Sequence, residues 1–237
     1  IENTKLKNLW CNIKRVYANN TYDFVKNPKK VQEILYLDKP DIIITYKKDD
    51  NSIEEPILCI EISEQTPMWQ NAYQRFARAT ASIELWVPFI FLFPERDWVE
   101  RTDKKNSSWE KSSPFIFYAL KKLTDIHNIP AFAVNWEISD KILWIKWYKY
   151  YDDQFNNMPD SNRKNIKKLF TFIDLLSDKV KNKWISILWN LKEEISITND
   201  FIEENSSKAY SKGYDYLRNI PSKWSWQFIS TNEIKNY

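Results

Sequence analysis

Asp41 and Glu61 are two carboxylates that a short hairpin can bring together. Asp41 follows Lys39-Pro40 and opens the run Ile42-Ile43-Ile44-Thr45-Tyr46, whose residues are mostly β-branched or aromatic. Glu61 sits inside a second run, Ile57-Leu58-Cys59-Ile60-Glu61-Ile62-Ser63-Glu64-Gln65. Between them, Asp49-Asp50-Asn51-Ser52 carries turn chemistry. Paired carboxylates at a sheet edge suit a hard divalent cation. A glutamate in so apolar a run is costly unless it is paired or metal-bound. Side chains alternate along a strand, so Glu61 and Ser63 share a face while Ile62 points away. The plainer alternative is that Asp41 only shapes the turn after Pro40, and that Glu61 is a structural, paired acid.

The elements that must position these acids can be read from periodicity. Apolar spacing predicts a helix over 4–18 and a second from Asn27-Pro28, with Val31, Ile34 and Leu35 on one face, ending before Pro40. Strands are expected from Asp41 to Lys48 and from Pro56 to Glu64. A helix should begin near Pro67 with Thr66 as its cap. On it, Trp69, Ala72, Tyr73, Phe76, Ala77 and Thr80 form the apolar face, and Gln70, Gln74 and Arg78 an opposite polar stripe. Pro88 to Phe93 reads as a buried strand, residues 94–112 as a long polar loop, 114–127 as a helix and Ala131 to Trp136 as a strand. This order implies an α/β fold, a mixed central sheet flanked by helices.

The last third differs. Lys141 to Tyr151 is a dense aromatic run, and helices are expected over 163–178, 183–197 and 206–218. The shift between Asp152 and Ser161 suggests a core over residues 1–150 and a mostly helical part over 151–237.

Composition removes several classes of function. Among 237 residues there is one glycine, Gly213, so neither a GxGxxG loop nor a Walker A loop can be built, and no nucleotide cofactor of those kinds is expected. Positive-φ turns must fall to Asn or Asp. His127 is the one histidine and Cys11 and Cys59 the two cysteines, too few for a zinc finger. His127 reads as a helix-end residue and the cysteines as reduced, buried thiols, which points to a cytoplasmic setting. No run of eighteen apolar residues occurs, so no membrane span is expected. A net charge of +3 does not by itself imply nucleic acid.

Pro40-Asp41, the hairpin and Glu61-Ile62-Ser63 together resemble the catalytic motif of the PD-(D/E)xK nuclease superfamily, which includes type II restriction endonucleases. The resemblance covers about residues 27–95. It departs from the motif at Ser63, which stands where the family has lysine. It implies a restriction-endonuclease-like core in which Asp41, Glu61 and the Ile62 carbonyl hold Mg²⁺ or Mn²⁺. Ser63 cannot supply the missing cation. Glu64 and Gln65 at the strand exit, or Gln70, Gln74, Arg75 and Arg78 on the next helix, are the candidates to replace it, with Glu64 and Gln74 favoured. Glu33 is a candidate third carboxylate. The function implied is Mg²⁺-dependent hydrolysis of double-stranded DNA. Lys104 and Lys105 in the polar segment, and Lys164, Lys167 and Lys168 on a later helix, are candidate phosphate contacts. The C-terminal part would serve recognition or homodimerisation. Two other readings fit the same residues: a catalytically inactive nuclease fold that binds DNA or assists assembly, which Ser63 favours, and an unrelated α/β interaction protein.

Overall fold

A computed structural model of the chain describes residues 24–47, 51–63, 69–99, 108–111, 114–136 and 161–182. The described elements are α1 (Lys29–Leu37), β1 (Ile42–Tyr46), β2 (Glu55–Ile62), α2 (Trp69–Glu84), β3 (Phe89–Pro94), β4 (Arg96–Val99), β5 (Ser108–Lys111), α3 (Pro114–His127), β6 (Ala131–Trp136) and α4 (Lys164–Asn182). The expected helices over 4–18, 183–197 and 206–218 and the aromatic run after Lys141 lie outside the described residues.

Strand order in the main sheet is β1-β2-β3-β6. β1 and β2 form an antiparallel hairpin, and β2, β3 and β6 run parallel. Parallel neighbours need crossovers, and α2 and α3 supply them. The fold is therefore α/β with a mixed sheet. All six residues of β3 are buried, as a strand covered on both faces requires.

The two faces can be assigned from contacts and register. Phe117 of α3 meets Phe93 edge-on, with ring centroids 5.8 Å apart, and Phe172 of α4 meets Phe132 at 4.7 Å. Phe93 pairs with Asn135 in register, so Phe93 and Phe132 point to opposite faces and the two helices cover opposite sides. Glu61 is in register with Phe91 and so lies on the α3 side.

α4 belongs to this same core. Its Ile166, Leu169, Phe172, Ile173, Leu176 and Val180 join the apolar cluster of the sheet, and the Asn165 side chain donates to the Asn135 carbonyl at 2.9 Å. Phe172 is fully buried. Phe172→Ala should cost about 3–5 kcal/mol, with the whole chain unfolding in one urea transition. A melt in which the sheet's signal is untouched by this substitution would show α4 to be a separate unit.

Three expectations need correction. The segment 94–112 is not simply a loop: Arg96↔Lys111 through Val99↔Ser108 pair as an antiparallel two-stranded ribbon. Both strands are short and mix charge with Trp98 and Trp109 without a regular apolar alternation, so they read as turn-like residues. The apolar face of α2 is also rotated. Ala79, Ser82 and Ile83 are buried, Ala77 and Thr80 are exposed, and Phe76 is half-buried. Small residues at 79 and 82 let the helix approach the sheet, a criterion that hydrophobic ranking does not capture. Finally, positive φ does not fall only to Asn or Asp. Asn128 (φ 56°) ends α3, but Trp86 (φ 64°) ends α2. There Trp86 N–H donates to the Ile83 carbonyl at 2.9 Å and Val87 N–H to the Ser82 carbonyl at 3.0 Å, a Schellman closure. The Ser82 hydroxyl donates to the Val87 carbonyl at 2.8 Å and tightens it. A left-handed tryptophan costs about 1–2 kcal/mol, which these bonds offset.

No helix among the described residues is long and apolar enough to cross a membrane.

Candidate functional site at the acid hairpin

Hairpin register places the two acids. Ile42 pairs with Ile60 and Ile43 with Cys59, so the next positions outward, Asp41 and Glu61, lie opposite each other on one face. The register slips by one residue between Ile44 and Thr45, where Pro56 interrupts the ladder. That bulge lies toward the turn and leaves the acid end in register.

Backbone donors lock the pair. Asp41 N–H donates to Glu61 Oε2 at 3.3 Å, and Ile62 N–H donates to Asp41 Oδ2 at 2.8 Å. Each carboxylate thus accepts from the other strand. Ser63 N–H continues the parallel ladder to the Leu92 carbonyl at 2.8 Å. Burial follows the alternation: Glu61 is 0% exposed, Ile62 is exposed and Ser63 is buried.

Two guanidinium groups from α2 complete the cluster. Arg75 and Arg78, one helical turn apart, both pair with Glu61 Oε1. Arg78 Nη1 also lies 3.8 Å from Asp41 Oδ1, and its Nε lies 3.5 Å from Asp38 Oδ1. Burial pushes the Arg75 pKa below its ordinary value, and the neighbouring Arg78 pushes the same way, with Asp41 opposing. An arginine remains charged at neutral pH under such a shift. The buried Glu61 carboxylate is therefore satisfied by opposite charge, as its position demands.

The expected site residues are distributed as follows. Asp41, Glu61, Ile62 and Ser63 are together at the hairpin end. Glu64, Lys104 and Lys105 lie outside the described residues, as does the side chain of Gln74, which belongs to α2. Arg75 and Arg78 are the helix residues whose contacts with the acids are described. The acid that α1 brings to the cluster is Asp38, at its C-cap, rather than Glu33. Asp38 carries a signal readable in the sequence, three residues before Asp41 and next to a helix stop. Lys164 and Lys168 lie in the first turns of α4, beside Asn135 near the C-terminal end of β6. Because β2, β3 and β6 are parallel, that is the same end of the sheet as Glu61 to Ser63, but α4 covers the opposite face. Cys59 is fully buried two residues before Glu61, and burial pushes its thiol up to about 12, with the Ser82 hydroxyl opposing, so it is inert as a nucleophile.

Among the described residues no group of three Asp, Glu, His or Cys side chains gathers as a metal cage. Mg²⁺ does not require one. It keeps several waters and is held by one or two carboxylates together with substrate phosphates. Asp41, 43% exposed, offers such an oxygen at the surface, whereas Glu61 is 0% exposed with Oε1 on two arginines and Oε2 on the Asp41 N–H. Three carboxylates against two guanidinium groups leave the cluster with one negative charge. A divalent cation and a phosphodiester anion would together bring it to neutrality.

Comparison with protein-family models, with curated proteins and with solved structures found no match.

Proposed function

We propose that the acid hairpin is the active site of a Mg²⁺-dependent endonuclease of restriction-endonuclease-like fold, hydrolysing phosphodiester bonds of double-stranded DNA. The observation that carries the reading is the convergence of Asp41 and a fully buried Glu61 on Arg78 at the end of a β-hairpin. A chain invests in a buried acid among apolar neighbours, and in two arginines to hold it, where charge is needed at one point. Asp41 and Glu61, with the Ile62 carbonyl between them, would hold the metal. Mg²⁺ bound there supplies electrostatic stabilisation of the phosphoryl oxygens. Arg75 and Arg78 stand in for the cation that Ser63 cannot provide. Lys164 and Lys168 belong to the helix on the opposite face but at the same end of the sheet, where a duplex laid across that end would meet them. Residues 100–107, with Lys104 and Lys105, and the segment after α4 are left for sequence recognition or a homodimer contact.

A second reading has its own support. Both arginines sit on Glu61, so the buried acid is neutralised by the protein itself, and Ser63 breaks the motif. This favours an inactive nuclease-fold subunit that binds DNA. A plasmid digest separates the two. Incubation with Mg²⁺ or Mn²⁺ over plasmids of varied sequence should give cuts that EDTA abolishes. Specific binding with no cutting in either metal would establish the inactive subunit instead.

A further inference from the structure

Arg75 and Arg78 share Glu61 but are not equivalent. Arg78 reaches three carboxylates, those of Glu61, Asp41 and Asp38, from three different elements. Its short pair is with Glu61, while Asp38 and Asp41 lie at 3.5 and 3.8 Å and its Nε makes no hydrogen bond, so Arg78 sits among the carboxylates of α1, β1 and β2. Arg75 meets a single described carboxylate, Glu61, which Arg78 already neutralises. Both side chains are 27% exposed, so neither is sealed in the core. A guanidinium has five N–H donors in a planar fork. Among the described residues Arg75 spends that fork on one oxygen.

Two positive groups on one carboxylate oxygen are a poor use of charge unless one of them has another task. Arg75 is the second on Glu61 and the first that a further anion could recruit without opening the ties to Asp41 and Asp38. We infer that Arg75 is the phosphate-contacting arginine of the site, swinging from Glu61 to a non-bridging phosphate oxygen of the bound duplex, while Arg78 stays in place and positions the acids. This rests on the nuclease reading and assigns its two arginines separate roles. A bidentate fork matches a phosphate as well as a carboxylate, so the exchange keeps a charge-assisted pair on Arg75. Glu61 keeps Arg78 and the Asp41 N–H throughout.

The test is binding of a fluorescein-labelled DNA duplex of mixed sequence to the full chain, measured by anisotropy over a salt series in EDTA, beside thermal melts of the same proteins. Arg75→Gln should weaken binding on every sequence and flatten the plot of log affinity against log salt by about 1, one phosphate contact's worth. Its melting temperature should stay near wild type. Arg75→Lys should keep the slope and lose part of the affinity, because charge remains and the fork does not. Arg78→Gln should show the reverse pattern: a melting temperature lower by several degrees and an unchanged slope in the folded fraction. Wild-type slope and affinity in Arg75→Gln would overturn the assignment and leave the nuclease reading standing, since wild-type cleavage in Mg²⁺ is scored separately. A melting loss in Arg75→Gln as large as that of Arg78→Gln would also overturn it. A wild-type chain that neither binds nor cuts the duplex would overturn both the assignment and the DNA reading.

Discussion

Asp41→Asn should fold as the wild type does and lose cleavage by roughly a thousandfold in Mg²⁺. Removing a ligand to a charge-stabilising cation removes several kcal/mol from the transition state, and about 4 kcal/mol is a factor of a thousand. Folding should survive because the Asp41 side chain is 43% exposed and Asn keeps an oxygen for the Ile62 N–H, now 2.8 Å away. The 3.8 Å contact with Arg78 is too long and too wet to contribute much. The measurement is single-turnover cleavage, with circular dichroism as the check on folding. Duplex binding in EDTA should hold or tighten, since the substitution removes a negative charge from beside the phosphate. Cleavage at the wild-type rate would remove Asp41 from the chemistry and with it the metal reading of the hairpin.

Much of this arrangement could be read before any coordinates. Two apolar, largely β-branched runs and the polar turn between them fix the hairpin, with Pro40 and Pro56 near its ends. With Ile42 and Ile60 as partners, the convergence of Asp41 and Glu61 is a matter of counting residues along two antiparallel strands. Parity alone put Glu61 and Ser63 on one face. What failed were features fixed by packing. Which side of α2 faces the sheet depends on Ala79 and Ser82 being small, and a helix wheel weighted by hydrophobicity favours Ala77 and Thr80 instead. Arg75 and Arg78 meet Glu61 from this helix, and the side chain of Gln74 lies outside the described residues. Asp38 has a local signal, a helix stop three residues before Asp41, but its meeting with Arg78 depends on how α1 packs against α2, which that signal does not encode. The β4–β5 ribbon was missed because strands dominated by charge and tryptophan, without an apolar alternation, resemble a loop.

Glu61→Gln should behave differently from Asp41→Asn, and the difference tests how the site is held together. Glu61 is 0% exposed and bears both guanidinium groups on one oxygen. Removing one partner of a buried pair costs about 3–5 kcal/mol, because the charges left behind are uncompensated. Arg75 and Arg78 each keep some access to water, which places the expected loss near the lower end, about 3 kcal/mol. For a chain of this size that is a melting temperature lower by roughly 6–12 °C. A competing effect has the opposite sign: Asp41 and Glu61 are like charges on one face, and neutralising one relieves their repulsion. The ion pairs should win, because Glu61 faces two positive groups and one negative one at close range. Urea unfolding in EDTA excludes any contribution from bound metal. A double-mutant cycle of Glu61→Gln with Arg78→Gln should then show that the two losses are far from additive, since each variant breaks the same contact. If Glu61→Gln is as stable as wild type or more so, repulsion dominates and the arginines do not hold the hairpin end. If it is destabilised while Asp41→Asn is not, the two acids divide their work: Glu61 is tied into the fold by arginine, and Asp41 is left at the surface where a cation and a phosphate can reach it.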